Sequence, residues 1–136
     1  MTEYRWTAIV TIVALLVYFN MSLQVGRARG KTGIRAPAMT GDPLLERAVR
    51  VHMNTLEWLP IFLAGLWLFA VFWNEVVAAG LGVVWIVGRL IYASAYMADP
   101  GKRSTGFLIQ CVAAALLLIG ALGKILFDLA MHGVGG

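Results

Sequence analysis

Two sets of polar side chains recur at helical spacing inside apolar parts of this chain. The first set, at steps of four, four and three residues, consists of Glu46, Arg50, Asn54 and Glu57. The second set, at steps of three and four, consists of Arg89, Tyr92 and Tyr96. Residues three or four apart lie on the same face of a helix, so each set predicts one polar stripe. Arg103 follows the second stripe, at the start of another apolar run.

The residue types favour a small ligand that carries more than one carboxylate. Arginine binds carboxylates through paired, charge-assisted hydrogen bonds. Glu57 and Asn54 would accept hydrogen bonds from an ammonium group, and the tyrosines would add hydroxyl donors. Arg103 would stabilise an anion that forms during a reaction, for instance a thiolate. The stripes therefore predict a site for an anionic, partly zwitterionic, peptide-like molecule.

A purely structural role is the alternative for these charges. Arg50 and Glu57 could form no more than an ion pair at the membrane surface. Arg89 weighs against that interpretation, because a charged residue deep in a membrane span costs about 2.5–3.5 kcal/mol on insertion scales and usually faces a functional interior site. We therefore favour a binding site.

Composition indicates what positions these residues. The chain has 136 residues, of which 60% are hydrophobic and 13% are charged, whereas a soluble domain is about 25% charged. Four apolar runs are long enough to cross a bilayer, and we predict helices over about residues 5–25, 43–73, 76–98 and 104–131, with a basic loop over 26–42. The expected fold is therefore an all-α membrane protein, a single domain of residues 1–136 built as a four-transmembrane-helix bundle.

The basic residues indicate how the bundle is oriented. Eight of them flank one side of the predicted membrane region, namely Arg27, Arg29, Lys31, Arg35, Arg47, Arg50, Lys102 and Arg103. The other side has only Arg5 and Lys124. The positive-inside rule places the basic side in the cytoplasm and both termini outside. Because the charges lie beside apolar runs, the net charge of +4 indicates a membrane surface and no nucleic-acid partner.

Three segments of the chain resemble a known family. They are "ERAVRVHMNTLEWLPIFLAGLW", "GRLIYASAY" and "KRS", and the likeness extends from about Arg27 to the end of the fourth span. This pattern is similar to the membrane-associated proteins in eicosanoid and glutathione metabolism, the MAPEG family. That family includes the microsomal glutathione transferases, leukotriene C synthase and microsomal prostaglandin E synthase.

The resemblance implies a homotrimer that binds glutathione as co-substrate between neighbouring subunits. It assigns the γ-glutamyl end of glutathione to Arg50, Asn54, Glu57 and Tyr92. It assigns the glycine carboxylate to Arg29 and His52. Arg89 and Tyr96 would complete the cavity, and Arg103 would face the sulfur as the catalytic residue. The implied activity is that of a glutathione transferase, an enzyme that activates the glutathione thiolate for attack on a hydrophobic electrophile.

Some positions depart from the patterns of the family's eicosanoid branches. Trp58 stands where the leukotriene-forming branch has Tyr, Gly30 replaces an Arg beside Lys31, and Ser104 after Arg103 is similar to the prostaglandin synthase. Ser104, Trp58 and Lys31 are therefore secondary site candidates. The departures favour a general detoxifying transferase, with glutathione-dependent peroxidase activity as a variant. We expect the protein in a bacterial inner membrane, with its active site toward the cytoplasm.

Two other function classes stay open. A non-catalytic scaffold or lipid-binding protein of the same family would keep a glutathione pocket without turnover. A small transporter or channel would need polar groups along the outer halves of the spans, which offer few. We predict no metal site, because the chain has one Cys and two His residues, and His132 lies near the C-terminus, far from His52 in sequence.

Overall fold

Four long helices form the protein in the computed structural model, which describes residues 3–133. They are α1 (Arg5–Thr32), α2 (Pro43–Phe72), α3 (Glu75–Ala98) and α4 (Ser104–His132), with a single 3₁₀ turn at Pro100–Lys102. Each is long and apolar enough to cross a membrane. The predicted all-α, four-helix membrane fold is confirmed.

Side-chain caps explain where the inner helices begin. Asp42 precedes Pro43, and its Oδ1 accepts from the backbone N–H of Leu44 at 2.8 Å. Asn74 caps α3 in the same way, with Oδ1 at 2.8 Å from the amide nitrogen of Val76. These caps satisfy backbone donors that the first turn of a helix leaves free. Because α2 ends at Phe72 and α3 begins at Glu75, their connection is very short and the two helices are antiparallel.

The first helix is longer than the sequence indicated. We predicted its end at residue 25 and a loop over 26–42, but α1 continues to Thr32 and the loop covers only 33–42. Ala28 is buried in one cluster with Leu45 and Ala48 of α2, so tertiary packing extends the helix through its glycines. Gly33, with φ of 73°, then ends the helix in the left-handed conformation that glycine adopts without strain.

Small residues bring α3 and α4 together where the predicted stripe of α3 lies. A Cβ added to Gly88 would lie 2.8 Å from the backbone nitrogen of Gln110 and 3.1 Å from the carbonyl oxygen of Gly106. Such close approach is typical of small residues at helix contacts in membranes. It places Tyr92 next to the beginning of α4, where Arg103 and Phe107 lie.

Hydrogen bonds between helices connect both ends of the bundle. At one end the Oε2 of Glu75 accepts from the amide nitrogen of Thr7 at 3.1 Å and from its hydroxyl at 2.8 Å. Glu75 thereby caps α1 from another helix, where the helix dipole also favours a negative charge. At the other end Arg47 donates to the carbonyl oxygens of Met97 and Ala98, at 3.0 and 3.3 Å, at the C-terminus of α3.

We predict that Glu75→Ala destabilises the bundle. The substitution removes a charged acceptor from two donors of Thr7, and hydrogen bonds to charged groups contribute about 1.5–3 kcal/mol each. The midpoint of thermal unfolding in detergent should fall clearly. Glu46→Ala is the matched control, because Glu46 is also acidic and in the first turn of a helix but is exposed. Equal midpoints for the two variants would contradict the prediction.

Candidate functional site

A cavity of about 310 Å³ lies where α2, α3 and the beginning of α4 meet. Its lining consists of Arg50, Asn54, Tyr92, Tyr96, Arg103 and Phe107. Five of these six are residues that the sequence predicted for the site. Arg50 and Asn54 come from adjacent turns of α2, and the two tyrosines come from adjacent turns of α3, as the spacing required. The lining includes two guanidinium groups and no carboxylate, so the cavity favours an anion.

Arg89 lies behind this cavity and does not line it. Its side chain is fully buried, and Nη1 and Nη2 donate to Oδ1 of Asn54 at 3.0 and 2.7 Å. The guanidinium carbon also lies 4.3 Å from the centre of the Tyr92 ring, a cation–π contact that strengthens away from water. Arg89 therefore holds two residues of the cavity wall in position.

These hydrogen bonds determine what Asn54 can offer a ligand. A carbonyl oxygen has two lone pairs, and two N–H groups of Arg89 already occupy Oδ1. Asn54 consequently presents its amide N–H donors to the cavity, where they suit a carboxylate or carbonyl oxygen. From the sequence we expected Asn54 to accept from an ammonium group, whereas in the structure its oxygen already accepts from two nitrogens of Arg89.

Glu57 is next to the cavity but outside its lining. Its Oε1 lies 3.5 Å from Nη1 of Arg50, and the two side chains are 56% and 55% exposed. The pair therefore leaves both side chains available to a further molecule, and Glu57 offers a carboxylate beside the cavity to an ammonium group.

Arg103 stands at the rim of the cavity as the residue before α4. It is exposed, and its guanidinium makes a long contact of 3.4 Å from Nη1 to the carbonyl oxygen of Pro100. A guanidinium held this loosely can turn toward an anion in the cavity. Ser104, the first residue of α4, is also exposed.

Phe107 also lines the cavity, although it was not among the residues predicted from the sequence. It lies four residues after Arg103, one helical turn further along α4, and that spacing is the signal that could have identified it. Trp58 packs edge-on against Phe107 with ring centres 5.6 Å apart. Trp58 thus supports the apolar wall of the cavity from behind.

Arg29 and His52 lie elsewhere in the same chain. His52 stacks on Tyr18 of α1 with ring centres 4.8 Å apart. Arg29 donates to the carbonyl oxygen of Ala38, at 2.6 Å, in the loop after α1. Lys31 lines a separate small cavity beside the end of α1. A single chain therefore does not bring these three residues to the Arg50–Arg103 cavity.

Three buried polar atoms of the described residues lack a hydrogen-bond partner, and all belong to α3 or α4. They are Nε1 of Trp85, Nε of Arg89 and Oε1 of Gln110. Gln110 was not predicted, because a single amide in an apolar run gives no periodic signal.

Within residues 3–133 the structure gathers no cluster of three His, Cys, Asp or Glu side chains that could hold a metal ion.

Comparison with known proteins gives a consistent result across most of the chain. The model of the MAPEG family matches residues 7–123. An uncharacterized protein of Synechocystis sp. is 44% identical over 128 residues, or 94% of this chain and 93% of that protein. Human microsomal glutathione S-transferase 2 is 41% identical over 85% of this chain and 80% of that protein. Leukotriene C4 synthase of Cavia porcellus is 37% identical over 85% of this chain and 77% of that protein.

We predict that Asn54→Ala destabilises the protein and that Asn54→Asp does not. Alanine leaves two donors of a buried cation without their acceptor, and a hydrogen bond to a charged group contributes about 1.5–3 kcal/mol. Aspartate keeps the acceptor and adds an opposite charge. Thermal unfolding in detergent measures both variants.

Asn20→Ala is the control for this pair of variants, because Asn20 is an exposed asparagine in α1. Its unfolding midpoint should stay close to that of the parent protein. The prediction is contradicted if Asn54→Ala has the same unfolding midpoint as the parent protein. It is also contradicted if the midpoint of Asn54→Asp is as low as that of Asn54→Ala, because Arg89 would then not depend on an acceptor at position 54.

Proposed function

The chain belongs to the MAPEG family, and from that membership we propose that it is an integral membrane glutathione transferase. The observation that carries the proposal is the cavity of two arginines, two tyrosines and an asparagine donor without a carboxylate in its wall. Glutathione has two carboxylates, one ammonium group and a thiol, so its charges match this cavity and the adjacent Glu57. The names of the transferase and synthase relatives support the same activity.

The proposed pose uses the cavity for the γ-glutamyl part of glutathione. Arg50 and the amide nitrogen of Asn54 donate to its carboxylate or its carbonyl oxygen. Glu57 accepts from the ammonium group, and Tyr92 and Tyr96 donate from their hydroxyls. Each of these roles matches the donor or acceptor capacity that the side chain has left in the free protein.

The glycine end of glutathione needs groups from a second subunit in this proposal. Arg29 and His52 lie on the α1–α2 side of their own chain, so a neighbouring copy would supply them. The exposed Arg50–Glu57 pair supports such a seam, because charged side chains in membrane spans usually face a protein interior and not lipid. Three copies per assembly follow from the resemblance to the family, and we propose a homotrimer on that basis.

Arg103 has the catalytic role in the proposed mechanism. The thiol of bound glutathione loses its proton to water, and the positive charge of Arg103 stabilises the thiolate that remains. The sulfur then forms a bond to an electrophilic carbon of a hydrophobic substrate, and the leaving group departs with the electron pair of the broken bond. With a lipid hydroperoxide, the thiolate would cleave the O–O bond, and a second glutathione would complete reduction to alcohol, water and glutathione disulfide.

The proposed setting is a bacterial inner membrane with the cavity toward the cytoplasm and both termini outside. The cavity lies at the end of the bundle that carries most of the basic residues, which agrees with the positive-inside rule. A hydrophobic electrophile would arrive from the bilayer.

We predict that Arg103→Ala lowers kcat for conjugation of glutathione to a halonitroarene by about 10²–10³-fold, the usual cost of losing one donor to a developing anion. Glutathione affinity should change little, because Arg103 faces the sulfur and not the carboxylates. Lys102→Ala is the matched control, as Lys102 is basic and exposed in the same turn but does not line the cavity. Full activity of Arg103→Ala would refute its role.

We further predict that calorimetry detects glutathione binding to the detergent-purified protein, and that Arg50→Ala and Glu57→Gln each weaken it about 10–100-fold. Each variant removes a charge-assisted hydrogen bond of about 1.5–3 kcal/mol. Arg35→Gln, an exposed loop arginine, is the control. Binding without turnover on any electrophile would favour the non-catalytic alternative, and no heat from the parent protein would exclude the proposal.

A further inference from the structure

A second and larger cavity lies on the opposite side of α3. It has a volume of about 550 Å³ and is a groove between α1 and α3. Most of its wall is apolar, with Val13, Leu16, Val17, Met21, Leu90 and Met97 as the principal residues. None of its lining residues belongs to the glutathione cavity described above. Its size lies within the range of about 300–1,000 Å³ that is usual for ligand sites.

The groove continues into a basic mouth. A smaller cavity of about 230 Å³ shares Gln24 and Met97 with the groove and adds Arg27 and Lys31 to the lining. These two cations are four residues apart and exposed, so they point the same way from the end of α1. The combined channel is thus apolar along the middle of α1 and positively charged where α1 leaves the apolar region.

The dimensions of the channel match one leaflet of a bilayer. From Val13 to Gln24 the helix rises about 16 Å, at 1.5 Å per residue, and half of the hydrocarbon core is about 15 Å thick. An acyl chain in the apolar part would therefore bring its headgroup to the level of Arg27 and Lys31. Gln24 and Asn20 lie between the apolar part of the groove and its basic mouth, and Gln24 donates to Oδ1 of Asn20 at 3.0 Å.

We propose that this channel is a binding site for an anionic phospholipid, with an acyl chain between α1 and α3 and the phosphate at Arg27 and Lys31. Basic pockets beside membrane helices attract anionic headgroups by charge. A soluble anion would not need the apolar groove, and a second protein chain would not need two exposed cations at its mouth. The inference stands independently of the proposed enzymatic activity.

The lipid would also complete the packing of α1. The buried residues of this helix are Thr7, Val10, Ala14, Met21 and Ala28, few for its 28 residues. Several of its large apolar side chains, including Leu16 at 60% exposed, face outward. A molecule that binds the folded state and not the unfolded state raises the unfolding temperature. Bound lipid should therefore be measurable as stabilisation.

The experiment compares three additions to the delipidated, detergent-purified protein: phosphatidylglycerol, phosphatidylcholine with the same acyl chains, and inorganic phosphate. We expect phosphatidylglycerol to raise the unfolding midpoint and to stay bound in native mass spectra, and the other two to have little effect. Equal effects of the two lipids would overturn the charge assignment. An equal effect of inorganic phosphate would overturn the acyl-chain assignment.

Variants separate the two halves of the site. Arg27→Gln with Lys31→Gln should weaken phosphatidylglycerol binding about tenfold or more, because each basic residue near an anionic headgroup contributes to its attraction. Arg35→Gln with Lys102→Gln is the charge-matched control, since neither residue lines the channel. Ser94→Trp should fill the groove and release the lipid. Unchanged lipid retention in either test variant, or a change in oligomer mass with Ser94→Trp, would refute the proposal.

Discussion

Arg89 carries its charge at a position without solvent exposure, between helices that have few polar groups to offer it. An unpartnered cation there would cost several kcal/mol, so the surroundings of Arg89 are tightly constrained. Asn54 supplies an acceptor from α2, and Tyr92 supplies a ring face from its own helix. These contacts fix the register of α2 against α3. The same register brings Arg50, one turn before Asn54, and Tyr96, one turn after Tyr92, to a common cavity.

The constraint has a chemical consequence as well as a structural one. A neutral amide accepts from two nitrogens of Arg89 without cancelling its charge, so the positive potential of Arg89 persists behind a cavity that already contains Arg50 and Arg103. The amide also turns its donor side to the ligand. A carboxylate at position 54 would have stabilised Arg89 equally well, but it would have placed a negative charge in the wall of an anion site. Asparagine serves the buried cation and the ligand together.

Much of this arrangement was predictable from helical spacing, and the rest depended on which helices are neighbours. Steps of three and four residues correctly grouped Arg50 with Asn54 and Tyr92 with Tyr96, because the two members of each pair lie on the same helix. The same spacing could not tell that Arg89 lies behind the cavity wall and does not line the cavity, since it belongs to the same periodic stripe as the cavity residues. The length of α1 was underestimated because Ala28 is held by contacts with α2. Glu75 acts on Thr7 from a distant part of the sequence, which no local pattern indicates.

The exposed pair of Arg50 and Glu57 connects folding to the proposed assembly. Inside one chain nothing buries it, since both side chains are more than half exposed, although α2 is apolar beyond this point. With about 1.5 Å per residue, Glu57 lies roughly 22 Å from the far end of α2, inside a hydrocarbon core of about 30 Å. Lipid solvates such charges poorly, so the pair gains from any neighbour that covers it. A second copy that also brings Arg29 and His52 to the cavity would remove this cost and complete the site in one step.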